Sequence, residues 1–455
     1  MSTVRGHVVH STFIHAPARG HIEVVRDALI DVDADGSIAA VLRTDDAAYA
    51  PRLDDAKRTN RLVRLPNHTV LLPGLVDLHI HAPQWPQLGK ALDVPLEVWL
   101  QQYTFPLEAR YRDLAFAERV YDDMVGSLLA EGTTTAVYFA TIHDAASRAL
   151  ADICLARGQR AFVGKVVMDN PDQCPDDYRD ASTEQALAES AAFIEYVRTL
   201  PGNSHATVQP IVTPRFIPSC TDTALKGLGD LAATTACHIQ THCSESDWQH
   251  QYVIDRTGKT DTDALNDFGL IGRHTVLAHS NFLTDANMDT LREAGAGVAH
   301  CPLSNIYFSN AVFPLRRALD KAVRVGLGTD ISGGPSASIL DAARHAIHAS
   351  RLLEEGVNPH TPRDERRVEQ QRIDFREAFY LATAGGADVL DIPVGRFDVG
   401  YQFDALCVDP TAAGSPINYD PQLDTDDDLL QKLISLAKRA NIQTVWTRGA
   451  VADAA

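Results

Sequence analysis

The sequence lacks the marks of several common protein classes. Its seven cysteines are odd in number and scattered, at Cys154, Cys174, Cys220, Cys237, Cys243, Cys301 and Cys407. None forms a C-x-x-C pair, so neither a zinc ribbon nor a disulfide framework is indicated, and reduced thiols in a cytosol fit best. Positive charge is in deficit. Lys and Arg number 41 against 60 Asp and Glu, a formal net charge of -19. That balance disfavours nucleic-acid backbones and anionic membrane surfaces as partners. No apolar run approaches the length of a membrane span. Met1 to Gly20 carries histidines and charges where a secretory signal needs an unbroken apolar core, so a cytoplasmic protein is expected. No G-x-G-x-x-G follows the first strand-like run, which counts against an open, doubly wound dinucleotide-binding sheet.

What is present is the composition of a globular protein, 45% hydrophobic and 22% charged over 455 residues, long enough for more than one domain. Apolar, β-branched runs predict strands near Val70–His79, Thr133–Ala140, Arg160–Met168, Val208–Phe216, His238–His242, Thr275–His279, Gly297–Cys301 and Arg324–Thr329. Amphipathic stretches lie between several of them, most clearly Leu114–Glu131 and Thr183–Leu200. Alternating strands and helices predict a parallel sheet closed into a (β/α)₈ barrel over residues 71–384. The ends read differently. Residues 1–69 hold short alternating runs such as Gly6–Ile14 and Ser37–Leu42, residues 396–409 have hairpin chemistry, and Thr444–Thr447 resembles one more strand. Residues 1–70 and 385–455 are therefore expected to pair into a small composite β-sandwich domain. The acidic cluster Asp424 to Asp428 suits a solvated helix start.

The chemistry gathers at the ends of the predicted strands. His79 and His81 close the first; two apart in a strand, they share a face. Arg215 ends the fourth, His242 the fifth and His279 the sixth, and Asp330 follows the eighth. In a barrel these positions open onto the C-terminal face, where catalytic groups collect. Imidazole nitrogen and carboxylate oxygen are the usual ligands of a catalytic zinc. Glu245, three residues past His242, is placed to exchange a proton with an activated water. Each residue has a plainer reading as a cap, a surface ion pair or a core side chain. Their joint occurrence at the ends of several strands favours the site.

The run Pro73-Gly74-Leu75-Val76-Asp77-Leu78-His79-Ile80-His81 resembles the metal-binding segment of the amidohydrolase superfamily. Further stretches resemble its guanine deaminase branch: His81-Ala82-Pro83-Gln84-Trp85, Thr104-Phe105-Pro106, Thr213-Pro214-Arg215-Phe216, His300-Cys301-Pro302-Leu303-Ser304-Asn305 and Gly328-Thr329-Asp330. The resemblance implies hydrolysis of guanine to xanthine and ammonia. It also implies one Zn2+ per chain on His79, His81, His242 and Asp330, a water oriented by His279, and proton transfer by Glu245 with help from Asp330. It assigns the substrate to Gln84, Arg215 and Phe216, with His81, His242, Glu245 and Asp330 lining the pocket. The free base and water are the implied partners, in a homodimer. A related base such as 8-oxoguanine or a pterin stays open as substrate. Trp85 stands where many members carry Tyr, and Leu303 where many carry Asn, so both are expected at the pocket rim. Lys165, in the third strand, does not take the place of a metal-bridging lysine, which favours a single metal.

Overall fold

The computed structural model describes residues 3–309 and 311–454. Eight parallel strands pair in consecutive order: Leu75–His81, Thr133–Phe139, Arg160–Gly164, Val208–Pro214, His238–Cys243, Thr275–His279, Gly297–His300 and Arg324–Leu327. Nearly every residue along them is buried. Both faces are covered, which is why these strands read as continuous apolar runs and not as alternation. The helices between them start where the sequence provides caps. The Asp113 carboxylate accepts from the backbone N–H groups of Ala115 and Phe116 at the head of Leu114–Ala130. The Ser182 hydroxyl does the same for Gln185 at the head of Thr183–Arg198.

The first predicted strand, Val70–His79, is two strands in two sheets. Val70–Pro73 joins the sheet made by the chain ends, and Leu75–His81 opens the barrel. The break falls at Gly74, where a Cβ would lie 2.0 Å from Thr134 Oγ1. Only glycine leaves room for the Thr134 side chain there. Further along, Asp77 lies opposite Ala136 but Ile80 lies opposite Tyr138. Three residues on one strand span two on its neighbour, a β-bulge of the kind that re-aims side chains beside active sites. Leu78 packs with Val137, Phe162 and Ile211 inside the barrel, and past the bulge His79 and His81 also turn inward.

No hydrogen-bonded ladder joins the eighth strand to the first. The ring closes instead through a few bonds beyond the eighth strand's end. The Asp330 N–H donates to the His79 carbonyl at 2.9 Å, and the His81 N–H to the Ile331 carbonyl at 2.9 Å. The Asp77 carboxylate accepts from the Thr329 N–H at 3.1 Å and the Thr329 hydroxyl at 2.6 Å.

The chain ends form one mixed sheet. Its strands are Val8–Ala18, His21–Val32, Ile38–Leu42, Leu62–Arg64, Val70–Pro73, Ala405–Val408, Ile442–Thr447 and Ala450–Val451. Residues 396–409 are not a hairpin. Only Ala405–Val408 is strand, lying between Val70–Pro73 and Ile442–Thr447 and antiparallel to both. A helix over Tyr49–Arg58 was not foreseen. The acidic cluster does start a helix, Asp426–Leu436, with Thr425 and Asp428 in a capping box. The boundary expected at 384/385 falls within the helical run Phe375–Leu390, whose Ala387, Val389 and Leu390 pack with Val76 and Val276 of the barrel. No helix among the described residues is long and apolar enough to cross a membrane.

The helical run Phe375–Leu390 is held partly by His238, whose Nε2–H donates to the Leu390 carbonyl at 2.9 Å. Burial pushes this imidazole down to about 4, and the stacked ring of His274 adds to the effect. His238 is therefore neutral in the fold and must shed solvent to stay so. Its contribution to stability is complete above pH 6.5 and is lost as pH falls through 6.5 toward 4. We expect the urea midpoint to drop over that interval, and His238→Gln to flatten the drop.

Candidate active site

Six polar side chains that the sequence placed at or just beyond strand ends, His79, His81, His242, Glu245, His279 and Asp330, meet at the C-terminal end of the barrel. His79 Nε2 lies 3.2 Å from Asp330 Oδ1, and His81 Nε2 lies 3.6 Å from the same oxygen. His81 Nε2 and His242 Nε2 are 2.9 Å apart. His279 Nε2 lies 3.7 Å from Glu245 Oε1 and 3.9 Å from Asp330 Oδ2. All six groups are buried. The local backbone is unusual: Ser244, His279, Ser280 and Asp330 have φ of 41°, 67°, 59° and 50°. Left-handed conformations at non-glycine residues cost about 1–3 kcal/mol each and gather where a site imposes them.

The imidazoles are fixed from behind. The His242 Nδ1–H donates to the Arg215 carbonyl at 2.6 Å. His279 Nδ1–H donates to Asn305 Oδ1 at 3.0 Å. Each bond leaves the Nε2 lone pair facing the centre, the arrangement that orients metal-binding histidines. Burial holds His81 and His242 well below the ordinary imidazole range, and crowding by neighbouring imidazoles lowers them further. Burial alone would raise the Asp330 carboxyl, but His79, His279 and His81 around it overcome that and hold it well below the usual range. His81 and His242 are thus biased toward neutral nitrogens and Asp330 toward an ionised carboxylate, the forms a cation needs.

This donor set fits a divalent cation. Two atoms each about 2.0–2.1 Å from one zinc ion can lie at most about 4.2 Å apart. The separations among His79, His81, His242 and Asp330 given above fall inside that limit. His79, His81 and Asp330 form one ligand-competent group, and His79, His242 and His279 another. His279 Nε2 is buried and makes no hydrogen bond, so a polar group held at the centre would complete it. Lys165 lies elsewhere, paired with Asp180 at 3.0 Å and Glu189 at 3.2 Å.

Beside the cluster is a narrow pocket. Its polar lining includes Gln84, Arg215, Glu245 and Asp330, and its apolar lining includes Phe216, Trp99 and Phe308. Gly333 lets backbone approach closely here, since a Cβ would meet Asp330 Oδ2 at 2.8 Å. All of the expected substrate-contacting residues, Gln84, Arg215, Phe216, His81, His242, Glu245 and Asp330, line this space. Trp85 does not; its indole N–H donates to Asp123 at 2.7 Å. Leu303 is not among the lining residues either.

Sequence reasoning missed Glu108. It is buried completely and binds Arg215 through both oxygens, at 2.6 and 3.1 Å, while accepting from Gln84 Nε2 at 2.9 Å. The available signal was a lone carboxylate two residues past Thr104-Phe105-Pro106, in a stretch otherwise apolar enough to be buried. A buried carboxylate needs a cationic partner. The roof over the cavity, Leu96, Trp99, Leu100 and Phe308, was also not foreseen. Its residues read as ordinary core.

Comparison with known proteins agrees with this architecture. The amidohydrolase family profile matches residues 70–452. A guanine deaminase of Homo sapiens is 37% identical over 452 residues, covering 97% of this chain and 96% of the relative. One of Dictyostelium discoideum is 36% identical over 450 residues, covering 96% of each. The crystal structure of guanine deaminase from C. acetobutylicum with bound guanine in the active site aligns with a TM-score of 0.87 at 28% identity, covering 98% of this chain and 99% of that one. With the family profile spanning most of its length, and with full-length relatives that are guanine deaminases, the chain belongs to the amidohydrolase family.

Proposed function

We propose that this protein hydrolyses guanine to xanthine and ammonia, with a zinc ion held by His79, His81, His242 and Asp330. One observation carries the reading. One pocket is lined both by Glu245 and members of the histidine–carboxylate cluster and by Arg215, Gln84 and Phe216. Imidazole and carboxylate ligands suit zinc. When bound, such an ion supplies a water acidified to near neutrality.

The chain's own residues do the rest. His279, tethered by Asn305, orients the attacking water with its free nitrogen. Glu245 is pushed up to about 7, chiefly by burial, with the charge of Asp330 adding and His279 opposing. A carboxyl in that range can take and return a proton near neutral pH. Water adds at C2 of guanine while Glu245 carries a proton from the water to N3. The remaining proton reaches the exocyclic nitrogen, the C2–N bond breaks, and ammonia leaves xanthine behind. Arg215 and Gln84 address the O6 and N7 edge, whose atoms are acceptors. Phe216 covers the ring face. Adenine lacks O6 and would strand a buried guanidinium, which supports strong discrimination. Seven free and buried cysteines support a reducing, cytoplasmic setting.

Purified protein incubated with guanine should release xanthine and ammonia in equal amounts. A strong chelator should abolish the release and added zinc should restore it. Absence of xanthine with zinc present would refute the assignment. Glu245→Gln should lower kcat by at least about a hundredfold while metal content, read by elemental analysis, stays unchanged. Turnover close to wild type would take Glu245 out of the proton path.

A further inference from the structure

We propose that Glu108 is a positioning residue that fixes the hydrogen-bonding polarity of the substrate-reading wall. The inference rests on the guanine reading above and specifies how that base is told from one bearing an amine at position 6. Glu108 sits in an irregular helical segment, Leu96–Arg112, that folds over the cavity. Its carboxylate can only accept, and it accepts from two cavity-lining side chains at once.

The first is Arg215. A guanidinium has five N–H donors. Two go to Glu108, and a third, also on Nη1, points to Met168 Sδ at 3.7 Å. Two remain, on a side chain that lines the cavity. The Phe105 ring lies 5.0 Å from Cζ and covers the guanidinium, so its plane is held as well as its charge. The second is Gln84. One amide N–H goes to Glu108, and the amide oxygen accepts from the Ser332 N–H at 3.1 Å. Ser332 offers only a donor there and Glu108 only acceptors, so the amide has one orientation. Its second N–H is what Gln84 has left to show a ligand.

The wall therefore presents donors from both side chains. It matches an edge of two acceptors, as O6 and N7 of guanine provide, and it opposes an edge with an amine at position 6. Neither Arg215 nor Gln84 sets this alone. Without the carboxylate the Gln84 amide is held only by the Ser332 N–H, and Arg215 loses the partner that fixes its plane and is free to swing. Glu108 touches neither the reacting carbon nor the histidine cluster, so its effect should fall on binding and selectivity and leave proton transfer alone.

The test compares guanine with 2,6-diaminopurine, which keeps the amine at C2 and replaces O6 by a donor. Steady-state constants are measured for wild type, Glu108→Gln and Glu108→Asp. Where diaminopurine turnover falls below detection, its inhibition constant against guanine is used. For Glu108→Gln we expect kcat/KM for guanine to fall about a hundredfold or more, mostly through KM. The constant for diaminopurine should change less than about threefold, so the preference collapses. The pH profile of kcat should not move, and Glu108→Asp should recover part of the preference. A parallel fall for both bases, or an unchanged preference, would overturn the proposal. Should Glu108→Gln fail to fold, the same two criteria apply to Glu108→Asp. Failure of the wild type to deaminate guanine would instead sink the underlying functional reading.

Discussion

The structure depends on how the barrel is closed. Seven of its strand junctions are hydrogen-bonded ladders, and the eighth is a seam between the last strand and the first. That seam is made by the backbones of His79, His81, Asp330 and Ile331 and by the side chain of Asp77 against Thr329. The residues that close the ring are thus the ones, or the neighbours of the ones, that form the histidine–carboxylate cluster. The 3.2 Å approach of His79 to Asp330 follows from the joint beneath it. The bulge after Asp77 is part of the same device, because it turns His79 inward where strict alternation would have sent it out.

Burial and charge then set the chemistry between them. Solvent is removed from several imidazoles and two carboxylates together, which lowers His79, His81 and His242. The same removal divides the carboxylates. Asp330 lies among His79, His279 and His81 and is held low, whereas burial and the neighbouring Asp330 outweigh His279 and Arg215 at Glu245 and raise it. Two acids of similar nature acquire different tasks from their surroundings. On the far wall Arg215 is as deeply buried, and Glu108 is the partner that makes a charged side chain tolerable there.

The sequence showed the chemistry better than its supports. The ligand-type residues stood at the ends of apolar runs, and runs buried on both faces are visible without alignment. Arg215 was legible as a strand-end residue, whereas Gln84 and Phe216 were legible only through the family resemblance. The Val70–His79 run could not be divided by hydrophobicity, since both pieces are buried; the break depends on a steric contact between Gly74 and Thr134 that no local pattern encodes. Glu108 and the Leu96–Phe105 roof were hidden for a related reason. Their segment mixes α, π and 3₁₀ turns, so it lacks a period, and its role is defined by partners at positions 84 and 215. The pairing of Ala405–Val408 with Val70–Pro73 joins segments separated by most of the chain, and local periodicity carries no information on it.

The seam has a consequence for how the molecule ages under heat. A junction held by a few bonds and one carboxylate opens before a junction held by a full ladder. Opening there draws His79 away from Asp330 while the outer helices and the terminal sheet are still intact. Thermal inactivation should therefore run ahead of melting, and reinforcing the outer shell would raise the melting point without lengthening working life.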